Sequence, residues 1–198
     1  MTLKEFITHF DYEGAIILLE GKRKVPESDR NKLIAFGKLL ASNTSKMKFR
    51  SGNAKGSDEY FSMGVSSVDS ARLEVIVPYT NHRKKSNKAY TSYSLEDINL
   101  SEEPDIIYHS KQHKSMTRLI DNYLQGKRDK YSVKAAYIIR DTVKVTGTKK
   151  ILPATFGIFY DDLNSPKTGG TGHTMNVCIN NDIQAIDQSV WFNWLQTP

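Results

Sequence analysis

Cysteine is almost missing from this chain. The one residue, Cys178, cannot close a disulfide within the chain. That excludes a disulfide-stapled scaffold and suits a reducing compartment. Long hydrophobic runs are missing as well. The longest aliphatic stretch is "AIILL" at 15–19, far short of the roughly 20 residues a membrane helix needs. The opening "MTLKEFITHF" carries an early Glu and no continuous apolar run, so no secretory signal is read there. No strong charge imbalance is present. Lys plus Arg number 28 against 22 Asp plus Glu, a net charge of +6. Six charges over a whole surface favour an anionic partner weakly, because a polyanion binder shows a tighter cluster. Repeats and low-complexity tracts are absent. So are both common nucleotide fingerprints, since "GKRKV" is not G-x-G-x-x-G and "GTGHT" is not G-x-x-x-x-G-K-[ST].

What is there has the size and composition of a folded domain. The chain has 198 residues, 38% of them hydrophobic, so one domain with a real core is expected. The reading is a soluble, cytoplasmic protein without a membrane partner. After a short amphipathic lead-in (Leu3, Phe6, Ile7, Phe10), "AIILLE" reads as a buried strand bounded by Gly14 and Gly21. "PESDRNKLIAFGKLLAS" reads as a helix, with Pro26 in its first turn and Leu33, Ile34, Phe36, Gly37 and Leu40 on one face. "MKFRSG" is a second strand. "GSDEYFSMGVSS" is a second helix capped near Ser57 or Asp58, and "RLEVIVPY" is a third strand. This alternation, with connections too long for hairpins, builds a parallel sheet under covering helices.

Residues 80–103 break the pattern. "NHRKKSNK" is basic and "LEDINLSEEPD" acidic, so an exposed insertion with two solvated charge blocks is expected. Beyond it, "HSKQHKSMTRLIDNYLQ" and "SVKAAYIIRDTVKVTG" read as helices and "TFGIFYDD" as a strand. "GHTMNVCIN" opens a further helix, "IQAID" is a last short strand, and "SVWFNWLQ" is a terminal helix.

In an open parallel sheet, ligands bind where strands end and loops enter helices. Three loops have that address: "EGKRKVP", "RSGNAKGSD" and "NSPKTGGTGHT". Each suits phosphate. Gly lets backbone N–H groups approach, a helix N-terminus adds partial positive charge, and Lys, Arg, Ser and Thr add donors.

The run "ILLEGKRKVPESDRNKLIAFGKLLAS…KFRSGNAKGSDEYF…EVIVPY" resembles the Rossmann-like superfamily (SLOG) that joins the DNA-processing protein DprA to the LOG-type lysine-decarboxylase-like proteins. The turn S-G-x-A-x-G-x-D that follows the second strand in that superfamily stands here as Ser51, Gly52, Asn53, Ala54, Lys55, Gly56, Ser57, Asp58. The later glycine loop resembles Gly169, Gly170, Thr171, Gly172, His173, Thr174, and the arginine-bearing helix resembles "YIIRDTV", placing Arg140. The resemblance covers most of the chain outside about 80–130. It implies an α/β three-layer Rossmann-like fold with a mainly parallel sheet. It also implies a nucleotide or nucleotide-derived phosphorylated ligand, held by Gly21, Lys22 and Arg23, by the Ser51–Asp58 turn, by Arg140 and by the glycine loop. Laid on the LOG-type pattern P-G-G-x-G-T-x-x-E, the Pro falls at Thr168, the Thr at His173 and the acid/base Glu at Asn176. An amide cannot exchange a proton near neutral pH. The expected role is therefore a sensor or sequestering module. The first alternative is an N-glycosidic hydrolase in which Asp58, Asp141 or His173 replaces the missing Glu. The second is single-stranded DNA binding of DprA type through Lys22, Arg23, Lys24, Arg83, Lys84 and Lys85, with Tyr90 and Tyr93 as stacking platforms.

Other residues read as structure. His109 and His113 stand four apart on an expected helix, but no third ligand is near, so no metal is assigned. Arg140 is expected to find its partner away from Asp141, because adjacent helix positions do not face each other. Cys178 reads as a small buried hydrophobe. Trp191 and Trp194 read as anchors docking the last helix, with a homo-oligomer surface as the second option. No cofactor is assigned, and no residue is assigned as catalytic.

Overall fold

The computed structural model describes residues 1–196. Helix α1 (Leu3–Phe10) opens on a capping box. Thr2 Oγ1 accepts from Glu5 N, and the Glu5 carboxylate accepts from Thr2 N. Strand β1 (Ile16–Gly21) follows, then α2 (Glu27–Asn43), β2 (Lys48–Ser51), α3 (Ser57–Ser66), β3 (Leu73–Val77) and β4 (Thr91–Ser94). The rest of the chain runs α4 (Pro104–Ser110), α5 (Lys114–Leu124), α6 (Ser132–Thr146), β5 (Phe156–Tyr160), α7 (Gly169–Asn180), β6 (Ala185–Ile186) and α8 (Gln188–Trp191). Among the described residues, six strands form one sheet in the order β4-β3-β2-β1-β5-β6, and every pairing is parallel. The fold is the expected three-layer Rossmann-like α/β architecture.

Side chains alternate across the strands, and the two faces have different chemistry. Ile17, Leu19, Phe49, Leu73, Phe156 and Ile158 join Leu33, Phe36, Leu40 and Phe61 in one apolar cluster under α2 and α3. Trp191 and Trp194 enter the same cluster, so the C-terminal turn is docked as its aromatics predict. The Trp191 ring lies 4.5 Å from Phe36, and its Nε1 donates to Phe159 O at 2.8 Å. The opposite face holds Leu18 and Ile76, but also the buried charges Glu20, Arg50 and Glu74. Arg50 donates to Glu74 at 2.6 Å, to Lys144 O at 2.8 Å and to Leu152 O at 2.7 Å. Helix α6 therefore rests partly on charge.

Three expectations are corrected. Residues 80–103 are not only an exposed insertion, because they contain β4, the parallel edge strand beside β3. Its sequence, Thr-Ser-Tyr-Ser, gives no apolar alternation, and short edge strands need none. The helix expected over 109–125 is two helices. Chain direction changes at His113, an extended N-cap of α5, while Pro104 starts α4 early. His109 and His113 thus lie on different elements, and no group of three or more metal-capable side chains occurs among the described residues. Helix α7 starts at Gly169, so the first two glycines belong to its first turn. No helix among the described residues is long and apolar enough to cross a membrane.

Candidate functional site

Strand order reverses between β1 and β5, with the chain winding outward to β4 on one side and to β6 on the other. A crevice opens at the carboxyl ends of strands at such a switch point. The three loops named from sequence all reach this edge. Gly21 ends β1, Ser51 ends β2 and α7 begins after β5.

The β2 turn is built around Asp58. Its carboxylate accepts from Gly21 N at 3.3 Å, Gly52 N at 2.9 Å and Ala54 N at 3.3 Å. It ties the ends of β1 and β2 together and does not cap α3, whose N-cap is Gly56. Ser57 Oγ donates to Lys22 O at 2.7 Å. Gly56 is required twice over: it has φ +83°, and a Cβ there would sit 2.2 Å from Arg23 O. Ser51 Oγ accepts from Asn53 N at 3.2 Å, and Asn53 Nδ2 donates to His82 O at 3.1 Å. Ser51, Gly56 and Asp58 thus shape the loop. Lys55 and Arg23 are exposed beside it. Lys22 lies 3.9 Å from Asp162 and 5.2 Å from the Tyr160 ring centroid.

Below the turn lies a buried ionic network. Arg140 Nη1 donates to Gly52 O at 2.7 Å. Against expectation, Arg140 also meets its neighbour, with Nε 3.2 Å from Asp141 Oδ1, although the direction is wrong for a hydrogen bond. Asp141 can lie there because a guanidinium on a long stem folds back over its own turn. Lys144, one turn on, bridges Asp141 Oδ1 at 2.9 Å and the carboxylate of Glu20. Burial pushes Asp141 up, yet Arg140 and Lys144 together hold it below the ordinary carboxylate range. Burial lowers Lys144, but Asp141 and Glu20 outweigh it and the net direction is up. Glu20 goes the other way. Burial, with Asp58 and Asp141 nearby, raises it to about 7 despite Lys144. The charge count explains this. Glu20, Asp58 and Asp141 face only Arg140 and Lys144. Asp58 is satisfied by three N–H groups and Asp141 by two cations. Glu20, whose Oε1 is buried without a partner, is the carboxylate whose charged form is least well matched.

The start of α7 completes the edge. Gly169 takes φ +61° with open space where a side chain would be. The N-cap Thr168 turns its hydroxyl to Ser165 O at 3.0 Å, so no side chain caps the helix. A Cβ on Gly170 would meet Asp141 Oδ2 at 3.2 Å, so the bare glycine lets the start of α7 lie against the buried carboxylate. Gly172 packs against the Lys167 backbone, and Thr174 Oγ1 donates to Gly170 O at 3.1 Å. Thr171 is half-buried. His173 points its Nε2 at Thr142 Oγ1, 2.9 Å away, and burial lowers its pKa, so a neutral ring packs between α6 and α7. Asn176 is exposed on α7.

The loops thus bring Gly21, Lys22, Gly52, Arg140, Gly169 and Gly170 to one edge around Asp141. Sequence reasoning missed Glu20, Lys144, His82 and Tyr137. The spacing of Asp141 and Lys144, three apart on an otherwise apolar helix, was the one local signal available. Three of the basic residues expected to meet DNA stand together after β3. Arg83 pairs with Glu59 at 3.0 Å, Lys84 and Lys85 sit on the exposed turn whose N-cap is Arg83, and Tyr90 is exposed. A groove of about 670 Å³ lies elsewhere, between α1 and the C-terminal turn, lined by Leu3, Ile7, Asn43 and Trp194 among others. It holds none of the residues of this edge. No family model, curated protein or solved structure matches the chain.

Proposed function

We propose that the chain binds a nucleotide or nucleotide-derived phosphorylated ligand at the β1–β5 crevice, as a sensor or sequestering module. One observation carries the reading. The uncapped first turn of α7 offers backbone N–H donors beside Asp141 Oδ2, a buried carboxylate that lies directly under Gly170. Free N–H groups with a helix dipole suit a phosphate. A carboxylate next to them suits the sugar hydroxyl that a nucleotide carries beside its phosphate. Arg140, fixed on Gly52 O, adds positive charge on the other side. The likeness of the Ser51–Asp58 turn and the Gly169–Thr174 loop to the SLOG superfamily supports the same reading.

Turnover is the weaker reading. An N-glycosidic hydrolase needs a proton donor for the leaving base. Asp141 is held ionised, Asp58 is taken up by three backbone donors, and His173 is neutral and engaged with Thr142. The test is a panel of nucleoside mono-, di- and triphosphates, cyclic nucleotides and short single strands. Thermal shift reports binding, and chromatography of the same tubes reports products. A phosphorylated ligand that raises the melting temperature and returns intact supports the module, because a ligand preferring the native state stabilises it. Release of free base moves the chain to the hydrolases. Stabilisation by single strands alone, falling steeply with salt, moves it to DNA binding. Gly170→Val closes the space over Asp141 and is expected to abolish binding; unchanged affinity rejects the α7 site.

A further inference from the structure

A second group of donors stands at the next corner of the same edge, where β2 and β3 end. Tyr137 of α6 is its centre. The Arg23 guanidinium lies 5.5 Å from the Tyr137 ring centroid, and that of Arg140 lies 5.3 Å away. The His82 ring meets Tyr137 edge-on at 5.6 Å and Tyr79 at 5.0 Å. His82 is 8% exposed, and its Nδ1 is buried with no hydrogen-bond partner. Arg140 Nε is buried without an acceptor in line. Arg23, exposed, is the solvent-facing member. The buried imidazole nitrogen has no partner, and the Arg23 and Arg140 guanidiniums lie against the same Tyr137 ring, so the corner is rich in donors and short of acceptors. Arg83, the third nearby guanidinium, is taken up by Glu59 and by Asn53 O.

We propose that Arg23, His82 and Arg140, gathered on Tyr137, form a second anion subsite, and that the ligand carries two phosphates separated by a sugar. The two-phosphate ligand rests on the nucleotide reading of the β1–β5 crevice. Arg140 and Asp141 adjoin on α6 and divide the two subsites. Strands lie about 4.8 Å apart, so the step from the β1–β5 crevice to the β2–β3 corner is roughly 10 Å. Adjacent phosphates of a diphosphate share an oxygen and cannot reach across. In a nucleoside 3′,5′-bisphosphate the ribose holds the two phosphates apart, on separate donor groups. Two arginines present the planar donors that phosphate accepts, and the imidazole becomes a donor at both nitrogens once an anion favours its charged form. Every charged group turned toward His82 is cationic: Arg140 from α6, Arg83 beside it and Arg23 from the β1 loop. Burial first, and then these cations, lower its pKa to about 4.

Sulfate is the first probe, because it remains a dianion where this ring titrates. The His82 ring and the Gly170 amide are followed by NMR at a pH between about 4 and the ordinary 6.5 of histidine. Bound sulfate is expected to favour the charged His82 ring, which takes its proton from solvent, and Arg23→Ala to weaken that response without unfolding the chain, since Arg23 is exposed. A response at Gly170 alone overturns the second subsite and leaves the first reading intact. A response at His82 alone keeps the subsite and removes the α7 site. Silence at both overturns the subsite. For the ligand, a nucleoside 3′,5′-bisphosphate is expected to bind about tenfold tighter than its 5′-monophosphate, a gain of about 1.4 kcal/mol. Arg23→Ala is expected to erase that gain. Equal affinities in the wild type overturn the two-phosphate ligand.

Discussion

Replacing Glu20 by Gln separates two descriptions of the buried network. Either Glu20 is half of an ion pair with Lys144, or it is the proton store that leaves the network neutral. Gln has the shape of a protonated Glu and no charge. Glu20 has its native pKa raised from 4.5 to about 7, so the native state holds a proton there that the unfolded chain has released. Its stabilising contribution is complete below 4.5 and is lost as pH rises through about 7. At about 1.4 kcal/mol for each pH unit between the two values, the distance comes to on the order of 3 kcal/mol. His82 works in the opposite direction, because its depressed value costs stability as pH falls below 6.5. It cancels when wild type and variant are subtracted at each pH. Urea unfolding at a series of pH values is the assay. Glu20→Gln is expected to be nearly neutral at pH 4 and to exceed the wild type by up to about 3 kcal/mol at pH 8, or roughly 6–12 °C in Tm for a chain of this length. A difference that does not change with pH refutes the reasoning. A variant that grows relatively weaker with rising pH shows an ionised Glu20 paired to Lys144, since breaking a buried pair costs about 3–5 kcal/mol.

Other predictions concern single features. Gly56→Ala forces a Cβ to within 2.2 Å of Arg23 O at φ +83°; denaturant midpoints are expected to show a loss of about 2 kcal/mol or more, and a neutral result contradicts the described turn. Trp191→Ala removes a fully buried ring and its bond to Phe159 O, with an expected loss of about 3–5 kcal/mol by urea titration. Burial pushes the Cys178 thiol up to about 12, so a thiol reagent is expected to label it only in denaturant; rapid labelling of the native chain contradicts its burial.

The strands that were legible are those whose neighbours in sequence share their environment. "AIILLE" and "RLEVIVPY" are apolar because both faces of an interior parallel strand are covered, and such runs announce themselves. Thr91–Ser94 does not, since an edge strand has one open side. The loops of the site were legible by position: strand end, glycine, helix start. Their internal roles were not. That Asp58 joins β1 to β2, or that Glu20 meets a lysine 124 positions away, depends on which helix crosses which strand. Period tells which face a side chain takes and nothing about what waits there. Arg140 and Asp141 failed for a smaller reason. The rule that adjacent helix positions diverge describes Cβ directions, and a four-bond side chain can bend back.

The unequal faces of the sheet imply unequal freedom for the sequence to drift. Under α2 and α3 the partners are hydrocarbon and rings, where one side chain of similar volume can stand in for another. Under α6, each of Glu20, Arg50, Glu74, Asp141 and Lys144 is matched to a particular opposite charge or carbonyl. A single exchange at Arg50, Glu74, Asp141 or Lys144 leaves a buried charge unmatched, so change at these four must come in coordinated pairs. Natural variants of this chain should therefore scatter substitutions through the α2–α3 layer and keep the α6 layer nearly fixed.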